Sequence, residues 1–130
     1  MGARSLISPL FYLAGLYDGL LGLVFLFFAL QVFDLFGITP PNHLGYVQFP
    51  AALLVVFAGM FYVIARAPLK NRNLIPFGAL LKVSYCAIVF YYWLSSGIPG
   101  MWKPFAVIDL LFLLLFLWAY KSMGQKTATD

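Results

Sequence analysis

The sequence predicts an all-α fold, a four-helix transmembrane bundle with both termini in the cytoplasm. The 130 residues are 64% hydrophobic and 9% charged, whereas soluble domains are about 45–50% apolar and about 25% charged. Four apolar stretches approach or exceed the roughly 20 residues that a bilayer core of about 30 Å requires. The chain length suits one domain. We therefore expect residues 1–130 to form a single integral membrane domain.

The four predicted spans are separated by segments typical of turns. The first span contains the apolar run LLGLVFLFFAL. Pro50, Pro76 and Pro104 lie at or near the starts of the other three spans, where proline disturbs a helix least. The turn segments are GITPPNHLGY, APLKNRN and SGIPGMWKP. We expect the longest connection, residues 34–48, to be a capping loop or a short interfacial helix. The predicted spans are residues 8–33, 50–65, 74–94 and 104–120, followed by a polar tail, 121–130.

The distribution of basic residues predicts the orientation. With four spans, both termini and the second connection lie on one side of the membrane, and that side carries six lysines and arginines against one, Lys103, on the other. This asymmetry places both termini in the cytoplasm. Arg66, Lys70 and Arg72 are topology determinants in this interpretation, and their charge also suits anionic lipid headgroups. The basic side consists of Arg4, Arg66, Lys70, Arg72, Lys121 and Lys126.

Three ionisable residues fall inside predicted spans: Asp18, Lys82 and Asp109. Such residues are costly in lipid and indicate a functional site by default. Counted at about 1.5 Å per residue from the cytoplasmic side, they lie at depths of about 15, 12 and 16 Å. Three charges on three helices thus fall in one layer near the middle of the membrane, and we expect them to form one cluster.

The helix faces around these charges support a buried cluster. Asp18 overlaps the motif Gly15-x-x-x-Gly19, and small residues mark the face where membrane helices approach one another. Lys82 has small neighbours at helical spacing and one phenol, Tyr85, whereas the neighbours of Asp109 are less decisive. Two interpretations remain open. The cluster either pins the helices together, or serves as a ligand anchor or proton-linked site, which the formal excess of one negative charge makes conceivable.

The composition argues against several other classes of protein. One cysteine, Cys86, and one histidine, His43, cannot supply a structural zinc site, a disulfide or a typical haem site. We expect no metal, no cofactor and no catalytic residue, since no nucleophile or phosphate-binding motif occurs. An enzymatic activity is unsupported. Eight scattered basic residues do not form a nucleic-acid footprint either.

Several polar segments carry a family resemblance. Together YDGLLGLVFLFF, TPPNHLGYVQFP, KNRNLIPFGALLKVSY and WKPFAVIDLLF resemble small bacterial four-span membrane proteins that are distantly similar to the DoxX-like group. The resemblance covers most of the chain, about residues 12–120. It implies a location in the bacterial inner membrane and a four-helix fold rather than an activity. The small multidrug transporters are similar in size, but they depend on a membrane-embedded glutamate, and this chain has no glutamate.

Two function hypotheses follow. The first is a small inner-membrane accessory protein, or a bundle that binds a lipid or another hydrophobic ligand, with a buried polar cluster of Asp18, Lys82, Asp109 and Tyr85. The alternative is an oligomeric proton- or cation-coupled transporter or channel that uses the same cluster, because four helices rarely enclose a water path alone. The expected partners are the lipid bilayer and either further copies of the chain or a larger membrane complex.

Overall fold

A computed structural model describes residues 5–129, and the side chains of residues 5–124. All the regular structure in this range is helical, and the predicted all-α fold is confirmed. Four helices are long and apolar enough to cross a membrane: α1, α3, α5, and α4 together with the 3₁₀ turn before it. The elements are α1 (Ile7–Phe27), α2 (Ala29–Leu35), α3 (Gly45–Arg66), the 3₁₀ turn (Arg72–Leu74), α4 (Ile75–Leu94) and α5 (Trp102–Thr129).

The first apolar stretch forms two helices where the sequence predicted one span. The backbone bends at Phe28, whose φ of −129° leaves the helical region, and α2 follows directly. At 1.5 Å per residue the 21 residues of α1 already extend about 32 Å, the thickness of a bilayer core. The bend lets Ala29 and Phe33 pack back against the bundle instead of continuing outward.

Helix α3 begins earlier than the sequence predicted, and α5 ends later. Pro50 lies in the second turn of α3, which starts at Gly45, so the predicted connection 34–48 contains the first residues of this helix. The missing N–H of Pro50 removes one bond near the helix start, a loss that this position tolerates better than a central one. Helix α5 continues past Tyr120 into the polar tail, which thus begins as helix.

The bundle consists of two antiparallel helix pairs, α1 with α3 and α4 with α5. Glycines allow the backbones of the first pair to approach closely. A Cβ on Gly22 would lie 2.7 Å from the Ala51 carbonyl oxygen, and one on Gly15 would lie 3.2 Å from that of Ala58. The small-residue face that the sequence placed between helices therefore does lie between α1 and α3.

Two apolar clusters occupy the two ends of the bundle. The end where α1 and α4 begin, here called the terminus end, contains the fully buried rings of Phe11, Phe61 and Phe116. Their centroids lie 4.7–6.1 Å apart, so the three rings contact one another in one buried aromatic layer. The opposite end, here called the α2 end, contains a cluster around Phe25 and Phe33. The intramembrane charges lie between these clusters.

Candidate functional site

Lys82 is the centre of a three-residue ion cluster. Its Nζ donates hydrogen bonds to both carboxylate oxygens of Asp18, at 3.0 Å to Oδ1 and 2.8 Å to Oδ2. It donates a third to Asp109 Oδ1 at 3.0 Å. The expected cluster is therefore present in the fold, and it joins α1, α4 and α5. An ammonium group carries three hydrogens, so Lys82 has used all of them.

The three side chains are buried to different degrees. Lys82 is 0% and Asp18 1% exposed, whereas Asp109 retains 7%. Among the residues whose side chains the structure describes, none donates a hydrogen bond to Asp109 Oδ2. Asp109, the most exposed member of the cluster, can therefore still accept a hydrogen bond through Oδ2 from another molecule.

Aromatic rings surround the ammonium group on its other sides. The Nζ lies 5.2 Å from the ring centroid of Phe112, 5.6 Å from that of Tyr17 and 5.9 Å from that of Phe61. Ring faces within about 6 Å attract a cation. Gly78, one turn before Lys82, admits the Phe61 ring, because a Cβ there would lie 2.6 Å from its edge. Small residues and rings thus shape the site for the lysine.

Tyr85, the fourth residue of the predicted cluster, does not contact the charges by a hydrogen bond. Its hydroxyl donates to the Trp102 carbonyl oxygen at 3.0 Å and so ties α4 to the start of α5. Cys86 makes a similar contact, from Sγ to the Ala106 carbonyl oxygen at 3.5 Å. Tyr85 still belongs to the site, because it lines the same cavity as Asp18 and Asp109.

The three basic residues proposed for topology and lipid headgroups lie at the terminus end, away from the cluster. The Arg72 guanidinium lies 3.7 Å from the centroid of the Tyr120 ring, and its Nε donates to the Tyr120 carbonyl oxygen at 2.9 Å. Arg66 is exposed and donates from Nη1 to the Tyr62 hydroxyl at 3.3 Å. Lys70 is exposed. Arg72 therefore has a structural contact that its sequence position did not predict.

A cavity of about 480 Å³ extends from the ion cluster toward the α2 end. Asp18 and Asp109 line its inner end, and Tyr46 and Trp102 line its outer part. Lys82 does not line it, because the ammonium group lies behind the two carboxylates. All four long helices contribute to walls that are mainly apolar. The apolar lining is Leu21, Phe25, Val47, Pro50, Ala51, Leu53, Leu54, Leu81, Ile88 and Phe105.

A second, larger recess of about 1170 Å³ lies between α1, α2 and the start of α5. Tyr17 lines it, and the buried hydroxyl of Tyr17 has no hydrogen-bond partner within the described residues. Leu21, Phe25 and Phe105 separate this recess from the first cavity, since they line both. The sequence analysis missed Tyr17 and Trp102. Only the position of Tyr17 beside Asp18 offered a signal.

The described residues contain no group of three or more histidine, cysteine or acidic side chains that could hold a metal ion. Comparison of the chain with protein-family models finds no match, and comparisons with curated proteins and with solved structures find none either. The site itself consists of two carboxylates at the end of an apolar cavity and one buried ammonium group bonded to both.

Proposed function

We propose that this protein binds an apolar, membrane-soluble molecule in the cavity between its two helix pairs. The observation that carries the proposal is that all four long helices line a cavity of about 480 Å³ that ends on two carboxylates. Ligand sites are typically clefts of about 300–1,000 Å³ with mainly apolar walls and a few converging polar groups. Both features are present at this site.

The ion cluster has a positioning role in this proposal. The bond from Lys82 to Asp18 joins α4 to α1, and the bond to Asp109 holds α5 in the same assembly. Polar contacts between membrane helices contribute only about 0.6 kcal/mol on average, so the cluster specifies the arrangement of the helices more than it stabilises them. It thereby keeps the cavity open between two pairs that would otherwise pack together.

The aromatic layer favours binding over conduction. Phe11 lies two helical turns from Asp18 toward the terminus end, and Phe116 lies two turns from Asp109 in the same direction. The rings of Phe11, Phe61 and Phe116 are 0% exposed and contact one another. A molecule that enters from the α2 end therefore meets the carboxylates and then a buried apolar layer.

The location that goes with this function is the inner membrane of a bacterium, with both termini in the cytoplasm. The six basic residues on one side of the predicted topology, against Lys103 on the other, support the orientation. The resemblance to DoxX-like proteins supports the bacterial membrane. The protein acts as an accessory or ligand-binding unit there, and a second copy or a larger complex is its expected protein partner.

Quenching of Trp102 fluorescence tests the binding proposal. The variant Trp93→Phe/Trp118→Phe leaves Trp102, which lines the cavity, as the single tryptophan of the chain. We expect 10-bromodecan-1-ol, an alkyl chain with a terminal bromine quencher, to quench this residue saturably in lipid nanodiscs. Ser84→Phe, which places a ring in the cavity, should abolish the saturable component and leave only quenching from the lipid.

Ser95→Phe is the matched control. Ser84 lies within α4, and Ser95 directly follows its last residue. Each hydroxyl donates a hydrogen bond to the carbonyl oxygen four residues earlier, but Ser95 lies outside the cavity. Saturable quenching should persist in this variant. Equal quenching of the parent and Ser84→Phe proteins at every probe concentration would show that the cavity binds no alkyl chain.

A further inference from the structure

The inner end of the cavity, where Asp18 and Asp109 lie, offers hydrogen-bond acceptors rather than donors. Ser84 and Tyr85 line the cavity, but each hydroxyl hydrogen is used, by the Leu80 carbonyl oxygen at 2.9 Å and by the Trp102 carbonyl oxygen at 3.0 Å. The three hydrogens of the Lys82 ammonium are used by the carboxylates. The donors that the lining side chains leave to a bound polar group are therefore the Tyr46 hydroxyl and the Trp102 indole N–H, both in the outer part of the cavity.

The acceptors, in contrast, are in excess. Two carboxylates in their ionised form provide about eight lone-pair sites, of which Lys82 fills three. The unfilled sites include those of Asp109 Oδ2, and Asp109 is the most exposed member of the cluster. A polar group that enters this end of the cavity gains hydrogen bonds only if it carries hydrogens to donate.

The net charge at the inner end of the cavity also favours a head group that carries hydrogens to donate, namely a cationic one. Asp18 and Asp109 against Lys82 leave a formal charge of −1, and the two negative groups line the cavity while the positive one lies behind them. Electrostatic interactions are stronger in such an apolar site than in water. A cation at this end is attracted, and an anion is repelled.

We propose that the cavity selects amphiphiles whose head is a protonated amine, bound to Asp109, and whose apolar chain extends along the cavity toward Trp102. Asp109 and Trp102 are seven residues apart on α5, or about 10 Å along the helix, which leaves room for an alkyl chain. The preference rests on the proposed function, because it names the class of molecule that the same cavity binds.

Three probes with the same chain test this preference. They are 10-bromodecylamine, 10-bromodecan-1-ol and 10-bromodecanoate, measured at pH 7 by quenching of Trp102 in the single-tryptophan protein in zwitterionic nanodiscs. A hydrogen bond to a charged group is worth enough to change affinity by about tenfold or more. We expect the amine to bind at least about tenfold more tightly than the alcohol, and the carboxylate to bind least.

Asp109→Asn locates the preference within the site. It removes the extra negative charge and leaves Lys82 paired with Asp18, so the ratio of amine to alcohol affinity should fall close to one while alcohol binding persists. Asp109→Glu keeps the carboxylate and should keep the preference. The matched control is Asp34→Asn, the same chemical change at an exposed residue of α2, and it should leave the ratio unchanged.

The outcomes separate this inference from the proposed function. Equal binding of amine and alcohol to the parent protein would overturn the inference and leave the proposed ligand binding intact. This comparison needs only the parent protein, so it does not depend on whether the Asp109 variants fold. A preference that survives Asp109→Asn would also overturn it, because the selectivity would then not depend on the Asp109 carboxylate. Absence of saturable quenching by all three probes would refute the proposed function itself.

Discussion

The ammonium group of Lys82 contacts both carboxylate oxygens of Asp18, across 64 residues of sequence, at 2.8 and 3.0 Å. Asp18 belongs to the α1–α3 pair and Lys82 to the α4–α5 pair, so this ion pair connects the two halves of the bundle. Asp109, in contrast, contacts Lys82 within its own pair. Asp18 therefore joins the two pairs through Lys82, Asp109 joins α5 to α4, and both carboxylates line the cavity.

Removing the lysine should destabilise the bundle, and removing Asp18 with it should restore part of the loss. Lys82→Met leaves two buried carboxylates without compensation, which costs up to about 3–5 kcal/mol. We expect Lys82→Met/Asp18→Asn to recover more thermal stability in detergent than Lys82→Met/Asp109→Asn, because Asp18 is 1% and Asp109 7% exposed, so an unpaired Asp18 carboxylate is the costlier one to keep buried. If Lys82→Met unfolds like the parent protein, the cluster has no energetic role.

Close packing of α1 on α3 should depend on Gly22. A Cβ at Gly22 would lie 2.7 Å from the Ala51 backbone oxygen, so Gly22→Ala must separate the helices, at a cost of about 1–3 kcal/mol. Gly59→Ala is the control, since Gly59 has open space around it and alanine is the better helix former. We expect a lower melting temperature for the first variant only. Equal melting temperatures would contradict the observed contact.

The basic loop should lie in the cytoplasm. Reporter fusions after Tyr120 and within residues 68–73 should report the cytoplasmic side, and a fusion within residues 39–45 should report the opposite side, because six lysines and arginines lie on the first side and one on the second. A pair of reporters, one active only inside and one only outside, provides the measurement. A cytoplasmic signal from residues 39–45 would reject the proposed orientation.

Vesicles that contain the purified protein should show no proton or cation flux above that of empty vesicles. The fully buried rings of Phe11, Phe61 and Phe116 belong to an apolar cluster between the carboxylates and the terminus end, which opposes the passage of ions. A pH-sensitive dye inside the vesicles under an imposed pH gradient measures the flux. Flux that disappears in Asp18→Asn or Asp109→Asn would instead support the transporter alternative.

Arg72 should anchor the start of α4 to the end of α5. Arg72→Lys removes the planar group that stacks on Tyr120, and it removes the Nε donor to the Tyr120 carbonyl oxygen. We expect a loss of about 1 kcal/mol in stability, measured as a lower melting temperature in detergent. Lys70→Arg, the reverse exchange at an exposed neighbour, should leave the melting temperature unchanged; a comparable change in both variants would show that the stacked contact contributes nothing.

The sequence alone determined the helical class, the four apolar spans and the common depth of Asp18, Lys82 and Asp109. These follow from local properties, namely apolar length, helical rise and the high cost of charge in lipid. Even the contact face of α1 followed from Gly15 and Gly19, because small residues mark close approach in membranes.

Only the tertiary structure decided which charges pair with each other and which of them line the cavity. Whether Lys82 or the carboxylates line the cavity depends on how the four helices are rotated about their axes. It also depends on rings such as those of Phe61 and Phe112, which lie close to the ammonium group. Tertiary packing also decided three further features. They are the bend at Phe28, the position of Pro50 inside α3 and the hydrogen bond from the Tyr85 hydroxyl to the Trp102 carbonyl oxygen. Each depends on contacts between residues distant in sequence, and a cavity is the space that such contacts leave unfilled.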